Sequence, residues 1–394
     1  MMKAKIFNLL VLAGLLLYAC SNNQETSDSA VSTPISSPTE ASNQMDYWPD
    51  DVWRTSSPEE QGVDSRTIVN LLDYIDDNAL NIHSVLIIRN GNLITEAYFH
   101  PHNQDSSINI YSCTKGVVSA LVGLALDHGH LEDINQPVLV YFSDREIPNL
   151  DEQKQNITIE HLLTMSSGLE WDEWGLTTIS GRFYSSMDWV QFELDRSMKD
   201  EPGTRFVYNT GGPHLLTGIL QSETGMSALA FAKTQLFEPL GISDVLWLSD
   251  AYFVNDGGSG VHMTPRDMAK FGYLYLKDGI WNAEQIIPSE WVRTSTQAHI
   301  DAEMGKQYGY LWWVDPDGRY YWLRGRNGQR IFVIPSERMV VVMTANAPGT
   351  DMLLMPEGLL ENFILPAVIS DEALPENSEA FRKLQDRISE FSEP

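Results

Sequence analysis

The chain has 394 residues, with 26 Lys and Arg against 54 Asp and Glu, a formal charge of -28. That length can bury a sizeable core as one large domain or two closely joined ones, and it excludes a small stapled scaffold. The negative charge repels phosphate backbones and anionic bilayer surfaces, which excludes nucleic acid as a partner.

Residues 1–19 have the layout of a secretory signal: Lys3 and Lys5 supply the positive start, and an apolar run over 9–17 follows. That run is too short for a permanent spanning helix. Leu17-Tyr18-Ala19-Cys20 resembles the lipobox of bacterial lipoproteins, with Tyr18 bulkier than the usual occupant. The resemblance implies acylation of Cys20, hence an envelope lipoprotein that meets the membrane only through this anchor. Residues 20–46 then read as a flexible tether, because a Ser, Thr, Asn, Gln, Pro and acidic composition cannot offset its ordering entropy by apolar burial. The only other cysteine is Cys113, so no disulfide is expected.

The folded domain is expected over 47–372, with a polar, acidic surface helix in 373–394. Ile68, Leu71, Leu72 and Ile75 recur at helical spacing behind Ser65, read as the cap, which predicts a helix over 65–78. β-rich runs at 84–88 and 93–99 flank Asn90-Gly91, a tight-hairpin signal. From 112 to 249 the spacing is mostly helical, as at 117–126, 159–165 and 215–222, and a further helix is expected over 265–277. Four strand-like runs follow at 310–314, 320–324, 331–334 and 339–344, the first two joined by turn chemistry at Asp315-Pro316-Asp317-Gly318, and a closing helix is expected over 355–369. The pattern is α+β: an antiparallel sheet built from both ends of the domain, flanked by helices, with a largely helical lobe inserted.

Acyl transfer through serine needs a hydroxyl in a cleft, a group to take its proton, and paired N–H donors for the oxyanion. Ser112 and Lys115, three apart at the start of a helix, share one face, and the helix N-terminus favours a developing alkoxide. A Ser and Lys so spaced arise by chance about once in such a chain. The stretch after Lys115, Gly116-Val117-Val118-Ser119-Ala120-Leu121-Val122-Gly123-Leu124, is a helix buried all round, and a lysine at its head must be paired or functional. His100-Pro101-His102 and His128-Gly129-His130 lack a third ligand at convincing spacing, so no metal is expected, and no cofactor.

Tyr111-Ser112-Cys113-Thr114-Lys115-Gly116 resembles the first motif of the class C β-lactamase and penicillin-binding-protein superfamily. Residues 157–169, 202–212 and 263–272 resemble its later segments in order, over about 47–369 in all. Tyr-Ser-x-Thr-Lys and the Asn-Gly hairpin look most like the 6-aminohexanoate-dimer hydrolase and esterase branch. The resemblance implies a β-lactamase-like fold and puts Tyr208 in the slot of the proton-relaying tyrosine. It assigns the oxyanion donors to the backbone N–H groups of Ser112 and Gln329.

Two departures bear on substrate. Tyr208-Asn209-Thr210 has Thr210 where the β-lactamase motif has Asn, and Arg326-Asn327-Gly328 stands for Lys-Thr-Gly. Thr210 donates a hydroxyl but lacks an amide's reach, and Arg326 suits a carboxylate. With Asn327, Gly328 and Trp171 they make the expected substrate contacts. The reading is a serine hydrolase of small esters or amides. Peptidoglycan D,D-peptidase, D-amino-acid amidase or β-lactamase activity, and an inactive envelope binding protein, are the alternatives.

Overall fold

The structure, a computed structural model, describes residues 47–49, 52–174, 177–347, 349 and 351–394, with only the backbone at 351–353; all fall within one unit, Asp46–Pro394. The signal sequence, Cys20 and the tether lie outside the described residues.

Eight strands form one antiparallel sheet: β1 Ile82–Arg89, β2 Asn92–Tyr98, β3 Ile300–Asp301, β4 Gln307–Tyr308, β5 Trp313–Val314, β6 Tyr321–Arg324, β7 Arg330–Ile334 and β8 Met339–Ala345. Their order is β2-β1-β8-β7-β6-β5-β4-β3, so the N-terminal hairpin closes against the last strand, with Leu86 opposite Val342. This is the α+β architecture expected from strands at both ends. At the first hairpin Asn90 (φ 51°) and Gly91 (φ 77°) both adopt the left-handed conformation its turn demands.

β7 and β8 are buried along their whole length, as near-continuous apolar runs require. Helix α1, Ser65–Asp77, buries the expected stripe of Ile68, Leu71, Leu72 and Ile75. Ser65 is not its cap: Asp64 precedes the helix, and the Ser65 hydroxyl donates instead to buried Glu59 (2.7 Å). Helix α2, Thr114–Asp127, is buried from Thr114 to Ala125. Helix α3, Gly211–Thr224, belongs to the inserted helical lobe. Helix α4, Pro265–Leu276, opens with a Thr264–Asp267 capping box and meets β7 and β8 at Gly272, where a Cβ would lie 2.8 Å from both Ile331 and Val340. Helix α5, Ser378–Ser392, docks on α1 through Arg387, which bonds Asp73 (2.8 Å) and Asp76 (2.9 Å).

Three segments depart from the sequence pattern. The strand expected over 310–314 is reduced to Trp313–Val314 because Leu311 takes φ 66°, which ends the extended run. The closing helix breaks into Asp351–Leu359, a wide turn at Leu360–Ile364, and Leu365–Ala367, with Pro356 and Pro366 each removing an N–H donor. A small sheet of Ile108–Asn109, Val261–Met263 and Leu246–Trp247 has no counterpart in the expectations. It matters functionally, because it ties the segment before Ser112 to the one after Gly258: the Ile110 N–H donates to Val261 O (2.9 Å) and the Val261 N–H to Thr114 Oγ1 (3.2 Å).

Candidate active site

Ser112 sits in the tight turn Tyr111–Cys113 that leads into α2. Asn109 Oδ1 accepts from the Tyr111 N–H (2.7 Å), and Tyr111 itself takes φ 47°, a strained conformation for a bulky side chain. That kink leaves Ser112 partly exposed while Cys113 and Lys115 turn inward. Burial pushes the Cys113 thiol up to about 12, so the thiol next to the serine stays protonated and unreactive.

Lys115 is 1 % exposed, and its Nζ donates along three directions: to Ser112 Oγ (3.0 Å), Gly258 O (2.7 Å) and Thr210 Oγ1 (3.4 Å). The Gly258 carbonyl is presented by a turn in which Asp256 Oδ1 accepts from the N–H groups of Gly258 (3.0 Å) and Ser259 (3.1 Å). Lys115 Nζ also lies 4.9 Å from the Tyr208 ring centre, and that ring stacks on Trp313 at 5.9 Å. Ser112, Lys115, Tyr208 and Thr210, spread over 99 positions of sequence, therefore meet at one place.

The tyrosine segment is held from below by two carboxyl groups. Asn209 Nδ2 donates to buried Glu193 (2.7 Å), while Asn209 Oδ1 accepts from the first N–H groups of α3, at Gly211 (2.7 Å) and Gly212 (3.2 Å). Burial pushes the Glu193 carboxyl up to about 7. Thr210 donates its hydroxyl to Glu173 Oε1 (2.5 Å) and its N–H to Glu173 Oε2 (3.2 Å).

The cleft over Ser112 encloses about 460 Å³, with Tyr208, Thr210, Trp313, Arg324, Gly325 and Arg326 among its walls. Several expected contacts lie elsewhere. Trp171 is buried against Ile179 and Phe183, its indole N–H held by Glu173 (2.6 Å), and it is Trp174 that borders the cleft. Asn327 turns to Asn346 (3.1 Å). Gly328 faces Ala345 and Pro356. The Gln329 side chain closes on both polar backbone atoms of Ala345, but its backbone stays beside the serine turn, its carbonyl accepting from the Gly325 N–H (2.9 Å) and from Cys113 Sγ (3.6 Å). Gly325 packs closest on the serine turn: a Cβ there would lie 2.3 Å from Ile110 O.

Arg324, Gly258 and Trp313 were not singled out from the sequence, and neither was the contact of Glu173 with Thr210. Arg324 lies 5.1 Å from the centre of the Trp313 ring, inside the cleft. Among the described residues no group of three or more His, Cys, Asp and Glu is placed to hold a metal.

A family model described as Beta-lactamase matches residues 79–360. The chain belongs to the beta-lactamase family. Among its relatives is an uncharacterized protein of Alkalihalophilus pseudofirmus, 26% identical over 70% of this chain and 85% of that one. The 6-aminohexanoate-dimer hydrolase of Paenarthrobacter ureafaciens is 22% identical over 68% of this chain and 73% of its own length. The fold is shared with EstCE1, a hydrolase with promiscuous acyltransferase activity, at a TM-score of 0.63 and 16% identity, covering 78% of this chain and 99% of that one. The protein is thus a beta-lactamase-like hydrolase with the superfamily's α+β fold.

Proposed function

We propose that this beta-lactamase-family hydrolase cleaves an ester or amide through an acyl-enzyme on Ser112. The observation that carries the reading is the 3.0 Å contact between Ser112 Oγ and a buried Lys115 Nζ, at the floor of a cleft that also holds Tyr208. Ser112 Oγ attacks the substrate carbonyl and gives up its proton to the Lys115–Tyr208 pair. As the tetrahedral intermediate collapses, the bond to the leaving alcohol or amine breaks and Tyr208 returns that proton to it. Water then repeats the sequence on the acyl-enzyme, releasing the acid and restoring Ser112.

The backbone N–H of Ser112 is one oxyanion donor. We assign the second to the backbone N–H of Arg326, since Gly325 and Arg326 border the cleft, while Gln329 is buried behind them. Arg324 and Arg326 put two guanidinium groups in the same wall, which suits a substrate bearing a carboxylate. Thr210 is tied to Glu173 and Lys115, which leaves it little freedom to take the part of an amide toward a β-lactam. The resemblance to a 6-aminohexanoate-dimer hydrolase is in keeping with a linear amide or ester. Export and anchoring at Cys20 complete the proposal and place the enzyme in the bacterial envelope.

The test is hydrolysis of small p-nitrophenyl esters with and without a free carboxylate, by the wild type and by Ser112→Ala. The wild type is expected to turn over both and prefer the acidic one, and the variant neither. A Ser112→Ala protein that kept its rate would overturn the assignment. Labelling of the wild type by a fluorescent penicillin would move the substrate class to cell-wall peptides.

A further inference from the structure

We propose that Glu173 is a positioning residue for the reaction, acting through the Thr210 hydroxyl to aim Lys115 at Ser112. The inference rests on the acyl-enzyme reading and adds a group to it. The argument is one of hydrogen-bond direction.

Among the described residues the Glu173 carboxylate is met only by donors: Trp171 Nε1–H (2.6 Å) and the Thr210 N–H (3.2 Å) on Oε2, and the Thr210 hydroxyl (2.5 Å) on Oε1. A carboxylate cannot donate, so the single hydroxyl hydrogen of Thr210 is committed to Glu173. Its lone pairs then face Lys115 Nζ, 3.4 Å away. Gly258 O, 2.7 Å from the same nitrogen, is also acceptor-only. Two of the directions around Nζ are therefore fixed as N–H donors, and the remaining one points at Ser112 Oγ, 3.0 Å away. This holds whether the third direction carries a hydrogen that steadies the alkoxide or the lone pair that takes the proton.

An amide at position 173 reverses the chain. With its oxygen kept on the two N–H donors, its NH2 faces Thr210 Oγ1 and donates to it. The hydroxyl hydrogen then turns toward Lys115 and opposes an N–H. With the amide flipped, the NH2 faces Trp171 Nε1–H and the Thr210 N–H. Either way one donor meets another at the wall of the cleft, and the aim of Lys115 is lost.

The charged and titratable groups that act on Glu173 or feel it are Lys115 from α2, Glu193 and Tyr184 from the helical lobe, and Tyr308 from β4. Burial raises the Glu173 carboxyl above its ordinary value, against Lys115 and the three donors, which lower it. The rate is expected to fall in acid as Glu173 protonates, because a carboxylic acid at Oε1 competes with Thr210 as a donor.

The experiment is a double-mutant cycle on p-nitrophenyl ester turnover with Glu173→Gln, Thr210→Val and the pair, beside Ser112→Ala. Each single variant is expected to lower kcat roughly 10- to 100-fold with KM little changed. The pair is expected to lose about as much as either alone, and Thr210→Ser to regain most of what Thr210→Val loses. Glu173→Gln should also move the acid limb of the pH–rate profile, since no carboxyl then titrates against Thr210. Additive losses, or an acid limb of Glu173→Gln unmoved from the wild type, would overturn the positioning role. If Glu173→Gln does not fold, Thr210→Val decides alone: a full kcat in that variant overturns the inference. Ser112→Ala separates the two levels, since its activity would sink the acyl-enzyme reading itself.

Discussion

Glu193 lies under the tyrosine segment with one oxygen on Asn209 and the other 2.2 Å from where a Cβ on Gly211 would sit, so only glycine fits at position 211. Folding lifts this carboxyl from an ordinary 4.5 to about 7, because burial disfavours its charge. A raised carboxyl favours the folded state fully below its unfolded value, and that contribution is lost as pH rises through the folded one. In Glu193→Gln, neutral at every pH, the decline in stability from about pH 5 to about pH 8 should shrink, by up to about 3 kcal/mol. Urea midpoints of the two proteins at both pH values check this; parallel declines would contradict it. Ser112 and Lys115 were legible from their spacing at a helix start, whereas Tyr208 and Thr210 entered only through the resemblance to the family's second motif. Trp171 and Trp174 were not separable, being the same residue three apart, and only the packing of Ile179 and Phe183 decides which is buried. Arg324 and Arg326 differ by one pleat, and the left-handed Asn327 and Gly328 turn the hairpin so that its Gly325–Arg326 side meets the serine.

Helix α2 was legible from its all-apolar run, and the structure adds why two of its positions are glycine. At Gly116 a Cβ would lie 2.4 Å from Leu323, and at Gly123 one would lie 2.4 Å from the Trp291 ring. The leucine has rotamers to yield with, whereas the indole is a rigid plate 8 % exposed. Gly123→Ala is therefore expected to cost about 1–3 kcal/mol, the helix-propensity gain from alanine being outweighed by overpacking. An unchanged denaturation midpoint would show that Trp291 moves freely. Short elements escaped the sequence for a plain reason: Ile300–Asp301 and Gln307–Tyr308 are two residues each, too few for a period of two to register.

At the scale of the molecule, sheet order was legible in outline, since hairpin signals near the start and strand runs near the end left the lobe between them. The edge pairing of β3 and β4 depended on tertiary contacts of Tyr308, whose ring packs on Phe206 (5.1 Å) and Trp313 (5.1 Å). A charge of -28 gives the whole chain no attraction to an anionic bilayer. Membrane retention, if Cys20 is acylated, rests on that one side chain. Cys20→Ser is expected to move the protein from the membrane pellet to the soluble fraction with ester turnover per molecule unchanged, and a variant still pelleting with membranes would refute the anchor.

The central neighbour of β1 is a strand that begins 250 positions later, with Arg89 opposite Met339. During synthesis the first hairpin therefore waits with one apolar edge unpaired while the lobe emerges, and the platform under Ser112 closes only when the last strand arrives. Such a chain stays catalytically silent until nearly all of it has been made, and loop-closure entropy makes that late closure a slow step. A ribosome-stalled or prematurely ended copy would carry the nucleophile and its lysine yet have no site to hold them.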